Sequence, residues 1–254
     1  MSETTDRNSG QITREYFESL LLELRAIDSV EASTKMTLFG SEFSTPVMLA
    51  ALSGLERVRP NGMVETAKGA AAAGAVMWTG IGSEQELEAL IATGAKTVKI
   101  IKPYADKDLI FRKIEHAEKC GALAVGMDTD FVFGSKNKRG FAMEYPVSPK
   151  TMEDIKSFIE ATRLPFILKG VLSEQDAQKA LDLGAGGIVV SHHGGAVLDY
   201  SVPPVMALSR IAKVIDKKIP IFVDCGIVRG TDAFKALALG ANAVSVGKAA
   251  FLAP

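Results

Sequence analysis

Residues 165–195 read PFILKGVLSEQDAQKALDLGAGGIVVSHHGG. The apolar run Pro165-Phe166-Ile167-Leu168-Lys169 suits a strand buried on both faces. Ser173-Glu174-Gln175-Asp176 resembles a capping box, and the pattern over 174–183 is helical until Gly184 stops it. A second apolar run, Gly187-Ile188-Val189-Val190, then ends at Ser191-His192-His193. This is one strand–helix–strand unit, and a crossover of that length implies parallel pairing.

Reading outward, the unit recurs. Strands are predicted at 46–51, 75–80, 97–102, 122–127, 165–169, 187–191, 220–224 and 243–247. Helices are predicted between them at 61–73, 84–93, 107–120, 149–162, 174–183, 204–216 and 231–239. Ser83-Glu84-Gln85-Glu86 marks one helix start, and Gly74, Gly94, Gly121 and Gly240 mark stops. Eight strands in strand-then-helix order predict an α/β fold, a closed (β/α)8 TIM barrel with its chemistry at the strand C-terminal ends. A doubly wound open sheet is the rival. No eighth helix is expected after the last strand. An amphipathic helix over 11–27, with Tyr16, Phe17, Leu20, Leu21 and Leu24, would cover the gap, or else a partner subunit would shield it. Residues 1–10 are expected to be disordered and 11–254 to form a single barrel domain. Residues 130–148 read as a polar, flexible lid.

The 254 residues are 47% hydrophobic with a formal charge of −1. That near-neutrality gives no electrostatic case for nucleic acid or a polyanionic surface. No apolar run approaches the ~18 residues of a membrane span. Two well-separated cysteines, Cys120 and Cys225, and a polar start without a signal peptide suggest reduced thiols in a cytoplasmic protein.

His193 falls at a strand end followed by two glycines, a position open to a planar ligand, and histidine titrates near neutral pH. Lys169 closes the neighbouring strand. Its ammonium is open to three roles there: pairing with an anionic cofactor ring, forming a Schiff base, or bridging to a carboxylate. The loops Asp224-Cys225-Gly226-Ile227-Val228-Arg229-Gly230-Thr231 and Val246-Gly247-Lys248 place glycines and cations near helix starts, a natural anion site. Asp128 and Lys102 end the fourth and third strands, where they either line the mouth or tie neighbouring strands together. His192 and His116 read as structural or surface residues, and no His/Cys/Asp spacing suggests a metal.

Taken together, these residues resemble the FMN-dependent α-hydroxy acid oxidase/dehydrogenase family, which includes glycolate and lactate oxidases. The resemblance is strong over 165–248 and collinear but weaker over 14–164. It implies a barrel enzyme carrying FMN and acting on a small hydroxy acid. His193 would be the base, Lys169 would face the N1/O2 side of the flavin, and Asp199 would orient His193. Ser191 would lie along the cofactor and Asp224, Gly226, Arg229, Gly247 and Lys248 would hold its phosphate region. Ala50, Ala51 and Gly194 complete the cofactor contacts, Lys102 joins His193 at the substrate, and a homo-oligomer is expected.

Several positions depart from the family pattern. An arginine that grips the substrate carboxylate is replaced by Ala196, a strand-three tyrosine by Lys102, and a flavin-contacting glutamine by Ile100. Phe131 or Val132 stands for an arginine after strand four, and Thr79-Gly80-Ile81-Gly82 for a tryptophan-bearing segment. Val228 and Lys248 each replace a further arginine, leaving Lys248 to meet a phosphate as a point charge. Lys102 or Lys138 would then have to supply the lost charge. The rival functions are a catalytically degenerate FMN- or phosphate-binding barrel and a flavin-free Schiff-base aldolase.

Overall fold

A repeat in which every strand is apolar on both faces needs cover inside and out, and a closed barrel wrapped by helices provides both. The computed structural model describes residues 8–133 and 145–249. It opens with helix α1 (Ser9–Ser19) and an antiparallel hairpin of β1 (Met36–Leu38) and β2 (Ser41–Phe43). The barrel strands are β3 (Val47–Leu49), β4 (Met77–Thr79), β5 (Thr97–Ile101), β6 (Ala124–Asp128), β7 (Phe166–Val171), β8 (Gly187–Val190), β9 (Ile221–Val223) and β10 (Ala243–Val246). All are parallel, in the order β3-β10-β9-β8-β7-β6-β5-β4. The remaining seam is stitched by two bonds: Leu49 N–H donates to Val76 O at 3.1 Å and Gly80 N–H to Leu52 O at 2.9 Å.

Seven helices lie between the strands: α2 (Gly62–Ala72), α3 (Glu84–Ala92), α4 (Lys107–Lys119), α5 (Met152–Glu160), α6 (Glu174–Asp182), α7 (Pro204–Ile215) and α8 (Gly230–Ala238). Ser83 and Ser173 each accept the N–H three residues on, as their sequence context predicts. The five expected stop glycines all carry positive φ. Met48, Trp78, Ile100, Ile167, Val189 and Phe222 pack one buried cluster inside the ring. The hairpin adds Leu38, Phe39 and Phe43 to that cluster, with Phe39 edge-on to Phe222 at 6.4 Å. A second, larger cluster fills the layer between strands and helices.

The N-terminal region differs from its sequence reading. The helix expected over 11–27 stops at Ser19, and Leu20 turns to extended backbone at φ −77° and ψ 124°. Leu21 and Leu24 are exposed, with no apolar face offered to them among the described residues. Of the ten residues expected to be disordered, 1–7 lie outside those described. Asn8 caps α1 by accepting from Gln11 N–H, and Ser9 and Gly10 are helical. The helix packs on α7 and on the turn after β8, not over the β10–β3 seam. That seam opens into a cavity of about 610 Å³ lined mainly by Val47, Leu49, Val246 and the small residues of α2. Residues 250–254, where an eighth helix was not expected, lie outside those described, as do 134–144 of the expected lid and Lys138 within it. No described helix is long and apolar enough to cross a membrane.

Candidate active site

The strand C-termini converge on a cavity of about 390 Å³ lined by Ala50, Ala51, Lys169, His193, Gly194, Asp224, Gly226, Ser245, Gly247 and Lys248, among others. This volume lies within the ~300–1,000 Å³ typical of cofactor pockets. Lys169, at the end of β7, is 94% buried by accessible surface, and its Nζ stands 2.9 Å from Asp128 Oδ1 and 3.7 Å from Asp224 Oδ2. Burial opposes its charge, but Asp128, Asp224 and Asp130 together hold its pKa above the ordinary lysine value. An ammonium held so firmly has no lone pair to offer a carbonyl, so the Schiff-base aldolase reading fails here.

Asp128 is shared. Lys102 also pairs with it, beneath the Phe131 ring at 4.1 Å. Burial disfavours the Asp128 carboxylate, yet Lys102, Lys169 and His193 keep its pKa well below the usual range. Burial lowers the Lys102 pKa, with Asp128 opposing. Lys102 therefore does not line the cavity as a free substrate cation. It is committed to Asp128, the strand-tying alternative of the sequence reading.

His193 has φ +57° and is followed by Gly194 and Gly195, also left-handed, so the chain turns sharply and brings the imidazole back over the mouth. Its own N–H donates to Ser191 Oγ at 3.1 Å, which is where Ser191 acts; that side chain is buried beneath the loop and does not line the cavity. Its Nδ1 lies 3.1 Å from Asp130 Oδ1 and 3.7 Å from Asp128 Oδ1. The expected orienting residue, Asp199, is instead exposed in an adjoining hollow of about 290 Å³, which shares Gly194 and Lys248 with the cavity. The chain turns outward after Gly195 and carries it away. Asp130 has room because residue 170 is glycine: at φ +102°, a Cβ there would sit 2.5 Å from the Asp130 carboxyl carbon.

Arg229 is a second correction. Its guanidinium is exposed and donates to Glu18 at 3.0 Å, outside the cavity lining. Arg14 of α1 lines the cavity instead. Arg14 donates to Gly226 O at 2.8 Å and grips Asp232 with two bonds of 2.8 Å. Burial opposes ionisation of Asp232, but Arg14 and the N–H groups of Arg229 and Val228 lower its pKa to about 2. Gly226 permits this docking, since a Cβ there would meet Thr13 at 2.8 Å. His192 completes the joint: Gly195 N–H donates to Nδ1 at 3.0 Å, leaving Nε2–H to donate to Thr13 Oγ1 at 2.7 Å. Burial lowers its pKa, so it is a neutral structural histidine.

Cys225, read from sequence only as a free thiol, lines the cavity at φ +68°. It donates to Asp224 Oδ1 at 2.8 Å and accepts from Gly194 N–H at 3.1 Å. Burial, then Asp224, push its pKa up, so the sulfur stays protonated and ties the β8 and β9 loops together. Asp128, Asp130 and His193 converge closely enough for a metal, but two ammonium groups near Asp128 already provide the positive charge.

The donor set fits a flat anionic cofactor. Small residues leave room for a plane, and the same cavity is lined by two cations, Lys169 and Lys248, and by the glycines Gly226 and Gly247. Fold and site together define a (β/α)8 flavoenzyme-type barrel with a carboxylate-supported histidine. A profile of the FMN-dependent dehydrogenase family matches residues 1–152 and 143–253. Glycolate oxidase 3 of Arabidopsis thaliana is 30% identical over 280 residues, covering 96% of this chain and 76% of that protein. A peroxisomal (S)-2-hydroxyacid oxidase of the same plant is 32% identical, covering 87% and 69%. The solved structure of a mandelate oxidase variant with (S)-mandelic acid superposes with a TM-score of 0.86 at 30% identity, covering 96% of this chain and 77% of that one. The chain belongs to the FMN-dependent dehydrogenase family. It is an FMN-dependent oxidoreductase of the α-hydroxy acid oxidase type.

Proposed function

We propose that the protein oxidises a small 2-hydroxy acid to the 2-keto acid, with His193 as the base. The Nδ1–Asp130 contact carries this reading. It assigns the ring proton to Nδ1 and leaves Nε2 free to accept a proton from the substrate. Asp130 and Asp128 then stabilise the imidazolium that forms. FMN, when bound, supplies the two-electron acceptor. Lys169 would hold positive charge against the reduced flavin, Ala50, Ala51 and Gly194 would bound the ring, and Asp224, Gly226, Gly247 and Lys248 would hold the ribityl phosphate end. Carboxylate recognition is the weak part of the site. Ala196 offers no fork, and the Lys102 ammonium is engaged by Asp128, so KM is expected at or above ~1 mM, the upper end of the usual range.

Two free thiols support a reducing compartment, the cytoplasm, and the open apolar seam at β10–β3 supports a homo-oligomer. Cell fractionation and sedimentation velocity test these two readings. The test of function is anaerobic mixing of FMN-loaded protein with glycolate, lactate and mandelate. Bleaching of the yellow colour by at least one acid, lost in His193→Ala, is the expected result. No bleaching by any acid, with FMN retained, overturns it in favour of a binding protein.

A further inference from the structure

On the outer wall of the barrel, away from the mouth, α3 and α4 bring together three side chains that the flavin site does not use. His116 lies in the last turn of α4, Cys120 caps that helix four residues later, and Glu88 comes from α3. His116 Nε2 is 3.0 Å from Glu88 Oε1 and 3.3 Å from Cys120 Sγ. All three donor atoms lie within 4.8 Å of one another. Sγ is also 3.6 Å from Nδ1, so it rests against the imidazole ring and neither ring nitrogen offers it a linear hydrogen bond. A cation set among the three would give each donor a bond.

The distances suit zinc. Tetrahedral Zn²⁺, with bonds of ~2.0–2.3 Å to nitrogen, oxygen and sulfur, separates its nitrogen and oxygen ligands by about 3.4 Å and its nitrogen and sulfur ligands by about 3.5 Å. The Nε2–Oε1 pair stands within a few tenths of an ångström of that arrangement already, whereas Sγ, resting against the ring, has to turn about the Cys120 Cα–Cβ bond to join it. The outer side is open, since the Glu88 side chain is 59% exposed while that of His116 is 17% exposed. Water can therefore enter as a fourth ligand. Glu84, one turn before Glu88, adds negative charge felt at Cys120.

We infer that Glu88, His116 and Cys120 form a site for Zn²⁺ or a similar borderline-soft divalent cation, clipping α3 to α4. Binding replaces the Cys120 S–H bond with an S–Zn bond and releases that proton to solvent. The pair His116 and Cys120, one turn apart, revises the sequence expectation that no spacing suggests a metal.

The test uses the FMN-loaded protein, stripped of metal with a chelator and titrated with Co²⁺. One equivalent is expected to give tetrahedral ligand-field bands at wavelengths beyond the flavin absorption, and Zn²⁺ should abolish them. The bands should vanish in Cys120→Ser and persist in Glu115→Gln, which alters an exposed carboxylate on the same helix. Zinc affinity, read by competition with a chromogenic chelator, should fall at least about tenfold in His116→Ala and in Glu88→Gln. Retained FMN colour confirms that each variant is folded. Absent bands, or bands unchanged in Cys120→Ser, overturn the site.

Discussion

Asp130 and Ala196 carry the sharpest consequences among single residues. If Asp130 sets the His193 tautomer, Asp130→Asn should lower kcat about 100-fold or more, within the range of general-base effects, with little change in KM. Asp199→Asn should leave kcat unaltered; equal losses in both variants, measured by steady-state kinetics, would reverse the assignment. At 196, restoring a guanidinium supplies a charge-assisted fork worth ~1.5–3 kcal/mol, so Ala196→Arg should lower KM for a hydroxy acid roughly 10- to 100-fold. An unchanged KM would mean that the carboxylate lies elsewhere. His193 and Lys169 were legible in sequence because each ends an apolar strand. Asp130 was not, because its importance depends on the missing Cβ of Gly170 on the next strand. Arg14 was still less so, being 218 positions from Asp232.

Among the elements, α1 is the one whose sequence reading and structure part most clearly. The barrel strands and helices were legible because apolar runs and glycine stops repeat with a fixed phase. The hairpin at 36–43 was not, since it stands outside the repeating strand–helix unit and its short strands mix polar with apolar residues. Leucines 21 and 24 prolong the apolar pattern of α1 but stay exposed, while Leu20 still packs on the core, so the helix ends where its tertiary contacts end. Beside the buried Phe17, those contacts include a polar joint centred on Arg14 and Asp232, which gives a pH signature. A carboxyl lowered to about 2 contributes stability above the unfolded value near ~4, and loses it as pH falls toward 2. Over that window the wild type should lose about 2 kcal/mol relative to Asp232→Asn, read by urea unfolding at successive pH values. A constant difference between the two would show that the pair contributes nothing through ionisation.

The whole molecule is a wall of helices around a mouth whose guest it holds with few strong charges. With a free-ligand excess of 100 times Kd, FMN should raise stability by ~2.7 kcal/mol, visible as a higher Tm. Lys248→Ala should reduce that rise at fixed FMN, because it removes the cation at the phosphate end, whereas Arg229→Ala should not. The order of synthesis adds a constraint. Thr13 and Arg14 grip partners that the ribosome produces some 200 residues later, His192, Gly226 and Asp232. The opening helix therefore completes this joint only after translation has passed α8. The cavity also needs Gly247 and Lys248, made later still, so a nascent chain is expected to take up its yellow pigment late in its birth.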